Sequence, residues 1–213
     1  MAVERFVRFS KPVVFLACLV PLGLLVRKAI AGLLGANPIE VITHATGDWT
    51  LIFLCITLAI TPLRRFLRLP WLVRYRRMTG LFAFFYGCLH LLTFVVLDKF
   101  FDWRAMVQDI YKRPFITAGL TGFLLMLPLA VTSTAGMIRR LGGRRWQLLH
   151  RLIYLSALAG VIHYYWLVKA DVTLPLRYAA ILAVLMACRI LLYLADRRSP
   201  APPAPVHAER VAP

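Results

Sequence analysis

The sequence predicts an all-α integral membrane protein: a six-helix transmembrane bundle with both termini cytoplasmic. Three observations carry that expectation. Hydrophobic side chains make up 61% of the 213 residues and charged ones only 16%, where soluble domains carry roughly 25% charged. Six apolar runs can be drawn, at residues 12–34, 46–63, 78–97, 115–137, 148–168 and 174–195. The Lys and Arg residues between them crowd one side of the predicted membrane.

The first run is interrupted by Arg27 and Lys28, which can snorkel from near an interface. Arg5, Arg8 and Lys11 precede it and Ala29-Ile30-Ala31 has the form of a cleavage site, but two charges stand immediately before that triplet, so the run reads as a retained span. The second ends beside Pro62. The third, Met78–Leu97, is 20 residues without a formal charge, enough at about 1.5 Å per residue to cross hydrocarbon about 30 Å thick. The fourth, Phe115–Met137, is 23 uncharged residues containing Pro128, a residue that spans tolerate. The fifth carries His150, Arg151 and His163, and the sixth carries Arg189, which can snorkel if it lies near an end.

Sixteen Lys and Arg fall at the N-terminus, the second-to-third and fourth-to-fifth connections and the tail; eight fall on the other side, among six of the nine acids. The crowded side is therefore expected in the cytoplasm. Residues 1–198 form one transmembrane domain on this reading, and 199–213 a disordered proline-rich cytoplasmic tail in which His207 is solvated. The net charge of +17 does not point to nucleic acid, because the basic residues alternate with apolar runs and form no polar face. Cys18, Cys55, Cys88 and Cys188 all lie in apolar runs without zinc or disulfide spacing. No dinucleotide fingerprint, phosphate loop or zinc-protease motif is present.

The histidines are the informative residues. His90 and His163 lie deep in the third and fifth runs, where a polar titratable group is costly. Gly80, Ala83 and Gly87 precede His90 at spacings that share one helix face, and Ser156, Ala159 and Gly160 do the same for His163. Such stripes suit close helix packing or leave room for a flat ligand. Two histidines on parallel helices with cleared faces suit bis-imidazole ligation of a haem in the outer half of the bundle. His150 stands 13 residues before His163, about 20 Å away along a straight helix, too far to share that haem. It reads as a second haem ligand, an electron-entry site or a polar anchor beside Arg151. His44, near Asp48, sits at the outer edge of the second run.

Asn37-Pro38-Ile39-Glu40, Arg77-Met78-Thr79-Gly80-Leu81 leading to His90, Thr132-Ser133-Thr134, and Trp146-Gln147-Leu148-Leu149-His150-Arg151-Leu152-Ile153-Tyr154 leading to His163-Tyr164 form an ordered set. Together they resemble the MsrQ (YedZ) family, haem-binding membrane subunits of periplasmic methionine sulfoxide reductase systems within the ferric reductase-like transmembrane superfamily. The resemblance covers nearly the whole chain except the tail. It implies a multi-pass bacterial inner-membrane cytochrome with haem b, passing electrons from the quinone pool to a periplasmic molybdopterin subunit, MsrP, that repairs oxidised methionine. It implies FMN as well, and an electron-transfer subunit that is not itself the catalytic one. His90 and His163 match the family's outer haem ligands and His150 its inner ligand on the fifth helix. The remaining inner ligand would fall near Arg76, where this chain has no histidine. A second haem or another cofactor contact at His150 therefore stays open, with Arg76, Arg77 and Arg151 as candidate contacts for a propionate or flavin. A quinol- or flavin-linked ferric reductase-like cytochrome with a different acceptor fits the same residues. A non-redox transporter or assembly factor would need broken helices around a midplane polar site.

Overall fold

The computed structural model describes residues 2–198; the expected tail 199–213 lies outside them. Among the described residues the chain forms nine α-helices, a 3₁₀ turn at Pro70–Leu72 and a π-helical turn at Thr93–Asp98, joined by short connections, and no strand. α1 (Ala2–Ile30) starts well before the first apolar run, so Arg5, Arg8 and Lys11 are on the helix and Arg27 and Lys28 occupy its last turn. α2 (Pro38–Phe66) is likewise longer than its run, because Asn37 caps it. The Asn37 side chain accepts from the Glu40 amide at 3.4 Å and donates to the Glu40 carboxylate at 2.8 Å, a reciprocal cap with proline at the first helical position. α3 (Val73–Leu92) runs on through a π-helical turn, Thr93–Asp98. Next come the short α4 (Trp103–Lys112) and α5 (Pro114–Val131).

Two of the expected runs are broken in the structure. The fourth ends at Val131, not at 137, and α6 (Ala135–Leu141) begins after it. The side-chain hydroxyls of Thr132 and Ser133 donate to the Pro128 and Leu129 carbonyls at 2.6 and 2.7 Å, and the Trp146 indole donates to the Thr132 carbonyl at 2.9 Å. These bonds satisfy the carbonyls of a finished helix end. The fifth run is split into α7 (Gly143–Leu149) and α8 (Leu152–Leu167) at His150-Arg151. There the amides of Arg151 and Tyr154 bond carbonyls three residues back, Leu148 and Arg151, the tighter winding that marks a helix junction. α9 (Thr173–Arg198) closes the chain.

Among the described residues, five stretches are long and apolar enough to cross a membrane: Val3–Ile30, Pro38–Phe66, Pro70–Asp98, Pro114–Val131 and Thr173–Arg197. α8, at 16 residues, is about 24 Å long and falls short of that length.

α2 packs along α3, α5 packs along α8, and α9 lies against α2 and α8. The core between them includes Leu58 and Ala83, both without exposure, and Tyr86. Phe53 stacks on Phe82 and Tyr86, and Trp49 flanks both Phe53 and Tyr86. Tyr86 also ties in α1. Its hydroxyl donates to the Cys18 carbonyl at 2.9 Å and accepts from the Leu22 amide at 3.2 Å. Those two groups would bond each other in a straight helix, so the phenol is inserted into the ladder beside Pro21. Outward, α1 exposes Phe9, Val13, Leu16 and Val20, and α9 exposes Val184, Ile190 and Leu191, apolar surface suited to lipid. The four cysteines are free.

Candidate functional site

His90 from α3 and His163 from α8 are brought together across the bundle. Their ring centroids are 5.9 Å apart and the planes stand at 76°. His90 Nδ1 lies 2.9 Å from the Thr43 carbonyl of α2, with Thr46 Oγ1 at 3.5 Å. His163 Nδ1 lies 2.6 Å from the Phe115 carbonyl of α5. A carbonyl oxygen only accepts, so each Nδ1 carries the proton and each Nε2 keeps its lone pair. The rings therefore share one tautomer, each set by a helix other than its own. Among the described residues, no protein hydrogen bond is made by either Nε2.

Two glycines make those bonds possible. A Cβ on Gly119 would stand 2.7 Å from His163 Nδ1, and one on Gly47 would stand 3.1 Å from His90 Cε1. Each glycine lets its helix approach an imidazole edge-on, close enough for the carbonyl one turn earlier to reach it. Neither residue stood out in the sequence. The available signal was a glycine within each apolar helix opposite a histidine, and the pairing of helices that makes it meaningful is tertiary.

The small-residue stripes lie in the helix contacts. Gly80 faces Thr57 of α2, Ala83 is wholly buried, and Gly87 faces Met126 and Phe123 of α5 and Thr50 of α2. Ser156 Oγ donates to the Gly122 carbonyl at 2.8 Å, Ala159 touches Gly122, and Gly160 faces Leu51. His44 is exposed beside Glu40, Nε2 to Oε1 at 3.8 Å, and His207 lies outside the described residues.

His150 is not brought to the pair. Its ring stacks on Trp146 with centroids 3.8 Å apart, Nδ1 lies 3.0 Å from the Trp146 carbonyl, and Nε2 lies 3.5 Å from Ser133 Oγ. Arg76 is half-buried within charge–charge range of His150, while Arg77 and Arg151 are exposed. Arg189 joins this group. It does not snorkel but turns inward, to Tyr154 and to the Leu58 carbonyl.

Residues 46–161 match the family described as ferric reductase like transmembrane component, a stretch that holds His90 and His150 and stops two residues before His163. Longer matches come from proteins named protein-methionine-sulfoxide reductase heme-binding subunit MsrQ. The one from Herminiimonas arsenicoxydans is 55% identical over 182 residues, 84% of either chain. The one from Rhodospirillum rubrum is 53% identical over 192 residues, 90% of this chain and 92% of its own. The chain belongs to the MsrQ family. A further MsrQ relative, from Azospira oryzae, is 57% identical over 159 residues, 74% of this chain and 68% of its own. Membership in MsrQ and in the wider transmembrane family, with the apolar helices, makes this a membrane protein.

Proposed function

We propose that the chain is the haem-binding membrane subunit of a methionine sulfoxide reductase system, a b-type cytochrome with His90 and His163 as the two axial ligands of one haem. The observation that carries this is the matched pair of imidazoles. Both present a free Nε2, both have Nδ1–H held by a main-chain carbonyl, and their centroids stand 5.9 Å apart. Metal–imidazole bonds of about 2 Å on opposite sides of one iron would put the centroids roughly 6 Å apart. The donor set therefore fits the group. The names of the relatives agree with it, since each is called a haem-binding subunit.

Bound there, haem supplies a one-electron carrier whose potential the ligands and surroundings tune. The protein's own contribution is positional. The Thr43 and Phe115 carbonyls orient the rings and make them better donors, as outer partners of metal-bound histidine do. Closest to Gly87 and Gly160, the small residues expected to face the haem, stand flexible side-chain ends, Met126 Cε and Leu51 Cδ2, which can swing aside.

We further place the arginine-rich connections in the cytoplasm with both termini, α8 as a sixth span, and the histidine pair in the half of the bundle facing the periplasm. That position serves delivery to a periplasmic molybdopterin partner, MsrP, with quinol from the bilayer as the electron source and FMN as a further cofactor. The test is haem iron per polypeptide on detergent-purified protein, with reduced-minus-oxidised visible spectra. A b-type spectrum at one haem or more per chain is expected; protein free of haem after expression with ample haem supply overturns the reading.

A further inference from the structure

The connection between α3 and α5 carries its own amphipathic helix. α4 has ten residues, about 15 Å of helix, too short to cross a bilayer. Contacts settle which face it turns inward. Met106 is buried, Asp109 holds Lys99 Nζ at 2.7 Å and Arg113 Nε at 3.3 Å, and the Ile110 carbonyl accepts from Thr117 Oγ1 of α5 at 2.6 Å. Lys99 Nζ also meets Asp98 at 3.1 Å, and Asp102 caps the helix by accepting from the Ala105 amide at 3.0 Å. The acids of the connection, Asp98, Asp102 and Asp109, are thus all engaged within it.

What remains faces outward, in two parallel stripes. Trp103, Val107 and Tyr111 recur at every fourth position, and Arg104, Gln108 and Lys112 do the same beside them. Trp103 is 67% exposed and Tyr111 84%. Among the described residues, neither Arg104 nor Lys112 makes an ion pair. An open depression lined by Trp103, Arg104, Val107 and Gln108 runs along the seam between the stripes. Just ahead of the helix, Phe100 and Phe101 stand at φ of 46° and 62°, a left-handed conformation that bulky side chains rarely adopt. The Phe101 amide bonds the Val95 carbonyl at 3.0 Å and the Asp102 amide the Lys99 carbonyl at 2.8 Å, which holds the turn. Both rings are exposed, so no burial within the protein offsets that strain.

Depth decides what covers this face. Asp98 closes one membrane-length stretch and Pro114 opens the next, so both ends of α4 are tied to span ends and the helix lies along the boundary between hydrocarbon and water. Aromatic side chains beside cations are the composition of that boundary. We infer that α4 is an interfacial helix seated on the lipid surface. Phe100, Trp103, Val107 and Tyr111 enter the boundary between acyl chains and headgroups, and Arg104 and Lys112 lie level with the lipid phosphates. The seat bears on the histidine pair, because Phe115, whose carbonyl meets His163, follows directly on the Arg113–Asp109 pair.

The experiment is nitroxide accessibility in the full chain, reconstituted in vesicles of phosphatidylcholine and phosphatidylglycerol. A spin label is attached at Val107→Cys or at Gln108→Cys. Wild type, whose free cysteines lie in α1, α2, α3 and α9, is treated in parallel as background. Collisions are read with oxygen, which concentrates in lipid, and with a water-soluble nickel chelate. The ratio of oxygen to nickel collisions is expected to be severalfold higher at 107, on the apolar stripe, than at 108, between Arg104 and Lys112. Both positions are exposed, so neither substitution opens the core. Tyr111→Cys is expected to match 107, and it serves if the Val107 variant does not accumulate. Equal ratios on the two stripes, whether aqueous or immersed, overturn the lipid seat. The aqueous pattern would make this face a protein-docking surface instead.

Discussion

His163 takes its tautomer from the Phe115 carbonyl 2.6 Å away, on a helix that reaches it only because residue 119 has no side chain. The same device recurs at His90 with Thr43 and Gly47. Two histidines are thus prepared identically from outside their own helices, which a single structural histidine hydrogen-bonded for stability would not require.

Gly119→Ala tests that device. A Cβ there stands 2.7 Å from Nδ1, so the ring or α5 must move and the carbonyl bond is lost. Loss of an outer partner of a metal-bound histidine typically costs about 10-fold or more in metal affinity. Haem content of purified Gly119→Ala should fall accordingly, while Gly47→Ala, with 3.1 Å to Cε1, should lose less. Equal, full haem in both variants would separate the glycines from the site.

On the proposed ligand pair, replacing His150 should leave the haem of His90 and His163 intact. The ring is stacked on Trp146 and bonded to its carbonyl, away from His90 and His163. His150→Ala is expected to keep the principal visible bands, so that any loss falls on a second component or on flavin. Disappearance of all haem would place His150 in the main site.

Tyr86→Phe addresses the fold instead. Without the hydroxyl, the Leu22 amide and Cys18 carbonyl can close on each other, so only a net hydrogen bond of about 1 kcal/mol is at stake. A modest fall in thermal midpoint at unchanged haem content is expected. Loss of the folded protein would show that the bridge to α1 does more than this.

At the other end, Lys99 is held charged above its ordinary range, first by its hydrogen bond to Asp109 and then by Asp98. A raised folded pKa adds stability that is fully present below the unfolded value and is lost as pH rises through the folded one. The connection carrying α4 should therefore loosen only at strongly alkaline pH, above about 10. Protease accessibility of residues 99–113 across pH should show this, and Asp109→Asn should move the onset to lower pH.

Much of this architecture was legible beforehand. Uncharged runs such as Met78–Leu97 left little choice but helix, and the position of His90 and His163 within such runs marked them as costly. What stayed hidden depended on contacts between helices. The end of α5 is set by Thr132 and Ser133 bonding carbonyls one turn back and by Trp146 bonding the Thr132 carbonyl across the break, and hydropathy alone reads straight through such a break. Arg189 looked like a snorkelling residue because sequence gives no sign that Tyr154 and the Leu58 carbonyl lie opposite it. Gly47 and Gly119 were silent for the same reason. The small-residue stripes were visible as faces, but only packing shows which neighbour each face meets.

The most direct measurement is the haem content and low-temperature visible spectrum of His90→Ala and His163→Ala, each purified beside the wild type and checked for monodispersity. Loss of the same haem component in both variants is expected, because one iron needs both imidazoles. Full retention of that component in either folded variant would contradict the account.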